Sequence, residues 1–321
     1  MRLKTESTVR ARDEMNSGGY QWLSRIEAMI PHAAAVSYGL NLSPENLDAV
    51  RAALTGAGAT VTSESDDGNG HFQVHTAEVS TPQDLQRVRR QVAEAAVTDV
   101  DTAIVPAALR QAGRKFLIMD VDSTLIQQEV IELLAAHAGK REEVAAVTEA
   151  AMRGELDFAQ SLHARVAVLA GLPAAVVESV RHEVRLSLGA AELVAAFKDA
   201  GHVVAVVSGG FNQILAPIAD ELGLDYWMAN ELEIFDGHLT GKVLGDVVDR
   251  AAKEKYLRAW SEAERIDLQH TIAVGDGAND LDMLGAAGLG IAFNAKPAVR
   301  EAADAAINIP YLNVVRYIAG V

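Results

Sequence analysis

Two carboxylates, Asp120 and Asp122, stand two residues apart in Asp120-Val121-Asp122-Ser123-Thr124, directly after the apolar run KFLIM. At the end of a buried strand such a pair can face one small volume, where one carboxylate attacks an electrophile and the other moves protons. A calcium loop would need Gly at its sixth position and Glu at its twelfth. Those positions hold Leu125 and Ile131, so that reading fails. For the pair taken alone, a plain turn closed by aspartate side chains is the structural alternative.

Three further groups have complementary chemistry. Ser208-Gly209-Gly210 follows HVVAVV, and a hydroxyl with glycine-exposed N–H groups at a helix start can hold phosphate oxygens. Lys253, in VVDRAAKEKYL, offers a compact ammonium suited to phosphate. An ordinary solvated lysine is the alternative, and Lys242, Arg250 and Lys255 are close by in sequence. Gly275-Asp276-Gly277-Ala278-Asn279-Asp280 follows TIAV. There Asp276 can bind a hard cation such as Mg²⁺ through oxygen, Asp280 can orient that shell, and Asn279 can donate to a phosphate.

Such residues work only if elements bring them together. KFLIMD, HVVAVVS, TIAVGD and LGIAF are short apolar runs separated by helical stretches, the pattern of buried parallel strands covered on both faces. Asp120, Ser208 and Asp276 end three of them, and in open α/β sheets ligands sit at the carboxyl ends of strands. The expected fold is therefore a Rossmann-like, doubly wound parallel sheet. About 80 residues separate its first two strands, and their helical pattern predicts an inserted cap over residues 131–187.

Ahead of this lies a different style. AVSYGLNL reads as a strand (about 35–42), and SPENLDAVRAALTGAG as a helix capped by Ser43 and stopped at Gly56 or Gly58. ATVTSES and HFQVHTAEV flank the turn-forming DDGNG, TPQDLQRVRRQVAEAA reads as another capped helix, and DTAIVP as a last strand. The order β-α-β-β-α-β is the ferredoxin-like α+β pattern and resembles the ACT-type regulatory domains found beside amino-acid enzymes. Residues 1–112 form this expected N-terminal domain and 113–321 the second. GYQWLSRIEAMI, within the first 33 residues, fits one short amphipathic helix.

Composition narrows the setting. The 321 residues are half hydrophobic, contain no cysteine and carry a formal charge of −16. No disulfide, thiolate metal site or cysteine nucleophile is available. The charge repels nucleic-acid backbones and anionic lipid, and no apolar run approaches the roughly 20 residues that span a bilayer. The polar start carries no secretory signal, and a cytoplasmic setting is expected. The nine histidines form no HxH or HExxH pattern. An anionic substrate must therefore find a local positive site.

The four groups, in this order, resemble the haloacid dehalogenase superfamily of phosphohydrolases over residues 113–321. DVDSTLIQQE, AMRGELDFAQSLHARV, VVSGGF, NELEIFDGHLTGKV and GDGANDLDML further resemble the phosphoserine phosphatase family within it. The resemblance implies that Asp120 is the nucleophile, forming an aspartyl phosphate, and Asp122 the general acid/base. It implies Mg²⁺ held by Asp120, the Asp122 backbone carbonyl and Asp276, with Asp280 behind. Ser208, Gly209, Lys253 and Asn279 would bind the phosphate oxygens. Glu129 would face the substrate ammonium, Arg165 its carboxylate, and Met152 and Phe158 would form the apolar wall of a closing cap. One anion and one cation placed apart suit a zwitterion, since arginine grips a carboxylate bidentately. The implied substrate is phospho-L-serine, at the last step of L-serine biosynthesis, with a homodimer by analogy. The competing readings are a phosphatase of another small phosphorylated metabolite and an amino-acid-sensing regulatory protein.

Overall fold

A computed structural model describes residues 32–152 and 155–321, with side chains from 155 onward and up to 150. The helix expected within the first 33 residues and the side chain of Met152 lie outside this description.

The first region contains β1 (His32–Gly39), helix Pro44–Gly56, β2 (Thr60–Gly68), β3 (Gln73–Ser80), helix Leu85–Glu94 and β4 (Asp101–Pro106). The sheet order is β2-β3-β1-β4, antiparallel throughout. Strand β1 starts earlier and stops earlier than expected. Ala33–Ala35 carry weak intrinsic strand preference, but packing on both faces of the sheet outweighs it. Ala33 and Ala35 pack with Val50, Leu54, Val88 and Ile104. Ala34, Val36 and Tyr38 face the other way, into a core shared with the second region.

Ser43 caps the first helix as expected, its hydroxyl accepting from the Asn46 N–H at 3.2 Å. The second helix differs: Asp84 stands at its N-cap without a side-chain cap hydrogen bond. The Thr81 hydroxyl instead takes the Gln83 N–H at 3.1 Å, closing a local turn ahead of the helix.

The second region holds β5 (Phe116–Met119), β6 (Val203–Phe211), β7 (Tyr226–Phe235), β8 (His238–Leu244), β9 (Thr271–Gly275), β10 (Leu289–Phe293) and β11 (Ala305–Ile307). Their order is β11-β10-β9-β5-β6-β7-β8. All neighbours are parallel except β7 and β8. The chain winds from β5 outward through β6, then crosses to β9 on the other side. The carboxyl ends of β5 and β9 therefore flank the crevice where such sheets bind ligands. One face of the sheet packs in the shared core, and the other against Leu257, Met283 and Leu284.

Hairpin β7–β8 was not anticipated from the sequence. Its tip is Asp236-Gly237, both with positive φ (48° and 73°), the conformation a tight two-residue hairpin needs. The insertion between β5 and β6 is helical, as expected: Val130–His137, Arg141–Met152, Phe158–Ala167 and Ala175–Glu183. Its two connecting segments pair with each other. The Gln127 N–H donates to the Arg185 carbonyl at 2.9 Å, the Ser187 N–H to the Leu125 carbonyl at 2.9 Å, and the Ser187 hydroxyl to the Thr124 carbonyl at 2.6 Å. Among the described residues no helix is long and apolar enough to cross a membrane.

Candidate active site

Asp120 is the first residue past β5, and its N–H donates to the Val274 carbonyl of β9 at 2.9 Å. Its Oδ1 accepts from the Val121 N–H at 2.7 Å and lies 2.7 Å from Lys253 Nζ. Lys253 occupies the first turn of helix Arg250–Glu264, which Asp249 caps by accepting from the Ala252 N–H. The lysine is wholly buried and also donates to Asp280 Oδ1 at 2.6 Å. Asp280 is equally buried, and its Oδ2 accepts the Gly277 N–H at 2.9 Å. Glycine at 275 permits this approach, because a Cβ there would lie 2.4 Å from Asp280 Cγ.

Burial would lower the Lys253 ammonium, but Asp120 and then Asp280 outweigh it and hold the charge above its ordinary value. Burial, then the Asp280 charge, raises the Asp120 carboxyl well above the usual range, against the pull of Lys253.

Asp122 follows in a tight loop. Its Oδ1 is enclosed and has no hydrogen-bond partner. Burial, then the nearby Glu129 charge, pushes this carboxyl up to about 8. The shift favours the protonated form, the state a general acid starts from. Ser123 adopts the left-handed region (φ 57°), and its hydroxyl donates to Glu129 Oε1 at 2.7 Å. The Thr124 hydroxyl donates to Asp276 Oδ1 at 3.2 Å. Burial, then Asp280 and Glu129, pushes Asp276 up to about 6.

At the end of β6 the Ser208 hydroxyl accepts the Gly210 N–H at 2.8 Å. The Gly209 carbonyl accepts from Asn230 Nδ2 at 2.8 Å, while Asn230 Oδ1 takes the Val248 N–H at 2.9 Å. One buried amide thus ties the Ser208 turn to the segment entering the Lys253 helix.

Carboxylate oxygens of Asp120, Asp276 and Asp280 lie within 4.8 Å of one another. An all-oxygen donor set of this kind fits a hard cation. Since both Asp280 oxygens are engaged by Lys253 and Gly277, Asp120 and Asp276 are the pair free to reach one.

The cap supplies the opposite wall. Phe158 begins a helix capped reciprocally by Asp157 and Gln160. Its ring tip lies over Gly209, 2.9 Å from where a Cβ would stand. Arg165, on the same helix, donates through Nε to the Ser161 carbonyl at 3.3 Å. Burial lowers its guanidinium, opposed by the charges of Glu129, Asp122 and Glu132.

A cavity of about 690 Å³ runs between floor and cap. Of the residues singled out from sequence, Asp120, Asp122, Glu129, Phe158, Arg165, Ser208, Gly209, Asp276 and Asn279 line it. Lys253 and Asp280 stand behind the wall and act on it through Asp120 and Gly277. Sequence reasoning gave no role to Ser123, Asn230, Thr148 or Lys296. Asn230 lies within a family-like segment, whereas Lys296 and Thr148 carry no local signal.

The family model of haloacid dehalogenase-like hydrolases matches residues 117–285. The phosphoserine phosphatase of Streptomyces coelicolor is 60% identical over 228 residues, covering 71% of this chain and 56% of that protein. That of Streptococcus thermophilus is 51% identical over 196 residues, covering 61% of this chain and 91% of its own. The unliganded crystal structure of a probable phosphoserine phosphatase from Vibrio cholerae superposes with a TM-score of 0.72 at 36% identity, covering 90% of this chain and 87% of that one. The chain thus spans little more than half the length of the Streptomyces relative.

Proposed function

Because this chain belongs to the haloacid dehalogenase-like hydrolases, we propose that it is a phosphoserine phosphatase, hydrolysing O-phospho-L-serine to L-serine and phosphate at Asp120. The carrying observation is that one cavity joins Asp120, Asp122, Ser208 and Asp276 to Glu129 and to Arg165 on the cap. Relatives named phosphoserine phosphatase at 51% and 60% identity support the choice of ester.

In this reading Asp120 attacks phosphorus in line and takes the phosphoryl group as an aspartyl phosphate. Asp122, protonated in its enclosed position, gives its proton to the departing serine oxygen. It then accepts one from the water that hydrolyses the intermediate. The Ser208 hydroxyl, the Gly209 N–H and Asn279 are the donors at hand for the phosphoryl oxygens. Lys253 favours the ionised form of Asp120 against burial and holds its carboxylate in place. Asp120 and Asp276, with the Asp122 backbone carbonyl, would hold Mg²⁺, whose charge lets an anionic ester approach a carboxylate. Arg165 would pair with the serine carboxylate and Glu129 with its ammonium. Phe158 would exclude water while the alcohol leaves.

We read residues 32–106 as a ferredoxin-like, ACT-type domain, on the strength of the strand order β2-β3-β1-β4 and two helices on one face. The proposed division falls near 112/113, and the proposed setting is cytoplasmic.

The test is phosphate release from phospho-L-serine, phospho-L-threonine and an aryl phosphate, each with and without Mg²⁺. Mg²⁺-dependent release, fastest from phospho-L-serine, is expected. Equal rates on all three esters would remove the substrate assignment. No Mg²⁺-dependent release from any of them would remove the enzyme assignment.

A further inference from the structure

Helix Pro297–Ala302 stands between two cavities. Lys296, just ahead of it, and Ala298 and Val299 line the catalytic cavity. Pro297, Arg300 and Glu301 line a second cavity of about 810 Å³, closed on its far side by helix Leu85–Glu94 of the N-terminal region. One short helix is therefore a wall of the active site and a wall of the interdomain cleft.

Lys296 is exposed, and no ion pair engages it among the described residues. The other two cations of the site are differently placed. Lys253 is committed to Asp120 and Asp280, and Arg165 belongs to the cap. The same cavity is lined by Asp120, Asp122, Glu129, Glu132, Asp157 and Asp276, on a chain of formal charge −16. A phosphate ester enters this acidic mouth against repulsion, and an unpaired ammonium at the rim helps to offset it during approach.

The far end of the helix is gripped by the N-terminal region. Asp304, two residues past it, accepts from Arg89 Nη1 and from Gln86 Nε2, the latter at 2.9 Å. Its other oxygen takes the Gly290 N–H at 3.0 Å. Arg89 also donates through Nε to the Ile104 carbonyl at 3.0 Å, and its side chain is only 11% exposed. The N-terminal sheet, the helix and strand β10 meet at this one carboxylate.

We propose that Lys296 binds the anionic ester at the cavity mouth, and that the Arg89–Asp304 clamp is a positioning device by which the N-terminal region holds Lys296 there. This rests on the phosphatase reading above. It gives the N-terminal region a part in substrate capture that needs no ligand of its own.

The experiment compares wild type, Lys296→Ala, Lys296→Arg, Arg89→Ala and the Lys296→Ala/Arg89→Ala pair on phospho-L-serine over a range of ionic strength. Rim charges act on capture and on salt dependence. Lys296→Ala is expected to raise KM roughly tenfold, with the loss lying in KM rather than kcat, and to flatten the salt dependence of kcat/KM. Lys296→Arg should restore most of it. Arg89→Ala should raise KM roughly threefold in the wild type and add almost nothing where Lys296 is already gone, the signature of coupled residues. Gln86→Ala, which removes the exposed partner of Asp304, stands in if Arg89→Ala does not fold, and should act in the same direction. An unchanged KM and salt slope in Lys296→Ala would overturn the binding role. Equal effects of Arg89→Ala with and without Lys296 would overturn the clamp. Calorimetry with inorganic phosphate separates this inference from the choice of ester. Weaker phosphate binding by Lys296→Ala supports it even if phospho-L-serine is not the substrate, and unchanged binding counts against it.

Discussion

The floor and the cap of the catalytic cavity are built on opposite electrostatic plans. On the floor, Lys253 and Asp280 are fully buried, and each charge already has fixed partners within the chain. On the cap, Arg165 is only partly buried, and its Nε makes a long hydrogen bond to a carbonyl of its own helix, at 3.3 Å. Its charge faces Glu129 and Asp122 across open space. A floor in which Lys253 and Asp280 are paired internally is preorganised there and needs little rearrangement when a charge develops. A cap with unsatisfied donors keeps them for whatever enters, so its bonds can discriminate one leaving group from another.

The contrast makes graded predictions. Asp120→Asn should cut turnover roughly a thousandfold or more, with the fold intact by circular dichroism, since the attacking atom is lost. An active, cleanly purified variant would break the assignment of the floor to chemistry. Lys253→Met should also abolish useful turnover, and it should destabilise the fold by about 3 kcal/mol by leaving two buried carboxylates without their cation. Denaturant unfolding measures that cost, and an unchanged midpoint would mean that Lys253 is not paired with Asp120 and Asp280 as described. Arg165→Ala should lower kcat/KM on phospho-L-serine roughly a hundredfold, yet on an aryl phosphate by less than about threefold. Equal losses on the two esters would erase the distinction between floor and cap. Ser123→Ala, which frees Glu129 from one hydrogen bond, should cost about threefold, chiefly in KM for phospho-L-serine.

The sequence made the floor legible because its parts are short runs welded to buried strands. The apolar runs ending in Asp120, Ser208 and Asp276 could hardly be anything but parallel strands, and their polar ends then had to share one edge. Glu129, Arg165 and Phe158 were legible only through family-like segments. A helix surface charge carries no local mark of what it faces. Hairpin β7–β8 has a strong turn signal in Asp236-Gly237, but the buried positions of β7, Ala229, Asn230 and Leu232, do not alternate, so its strand pattern is weak. Lys296 was invisible for a physical reason: it reaches the cavity through the path of the chain after β10, and no periodicity encodes that. Strand β1 was misplaced by three residues because three alanines look neutral until two cores close on them.

The core that holds Ala34, Val36, Tyr38 and Phe72 together with Leu312, Val315 and Ile318 is one continuous body of side chains. Phe72 meets the rings of Tyr311 and Tyr317, and the Tyr38 hydroxyl donates to the Ala306 carbonyl at 2.7 Å. Severing the polypeptide near residue 113 would therefore strip a greasy flank bare, and the excised catalytic half should be sticky and poorly behaved in solution.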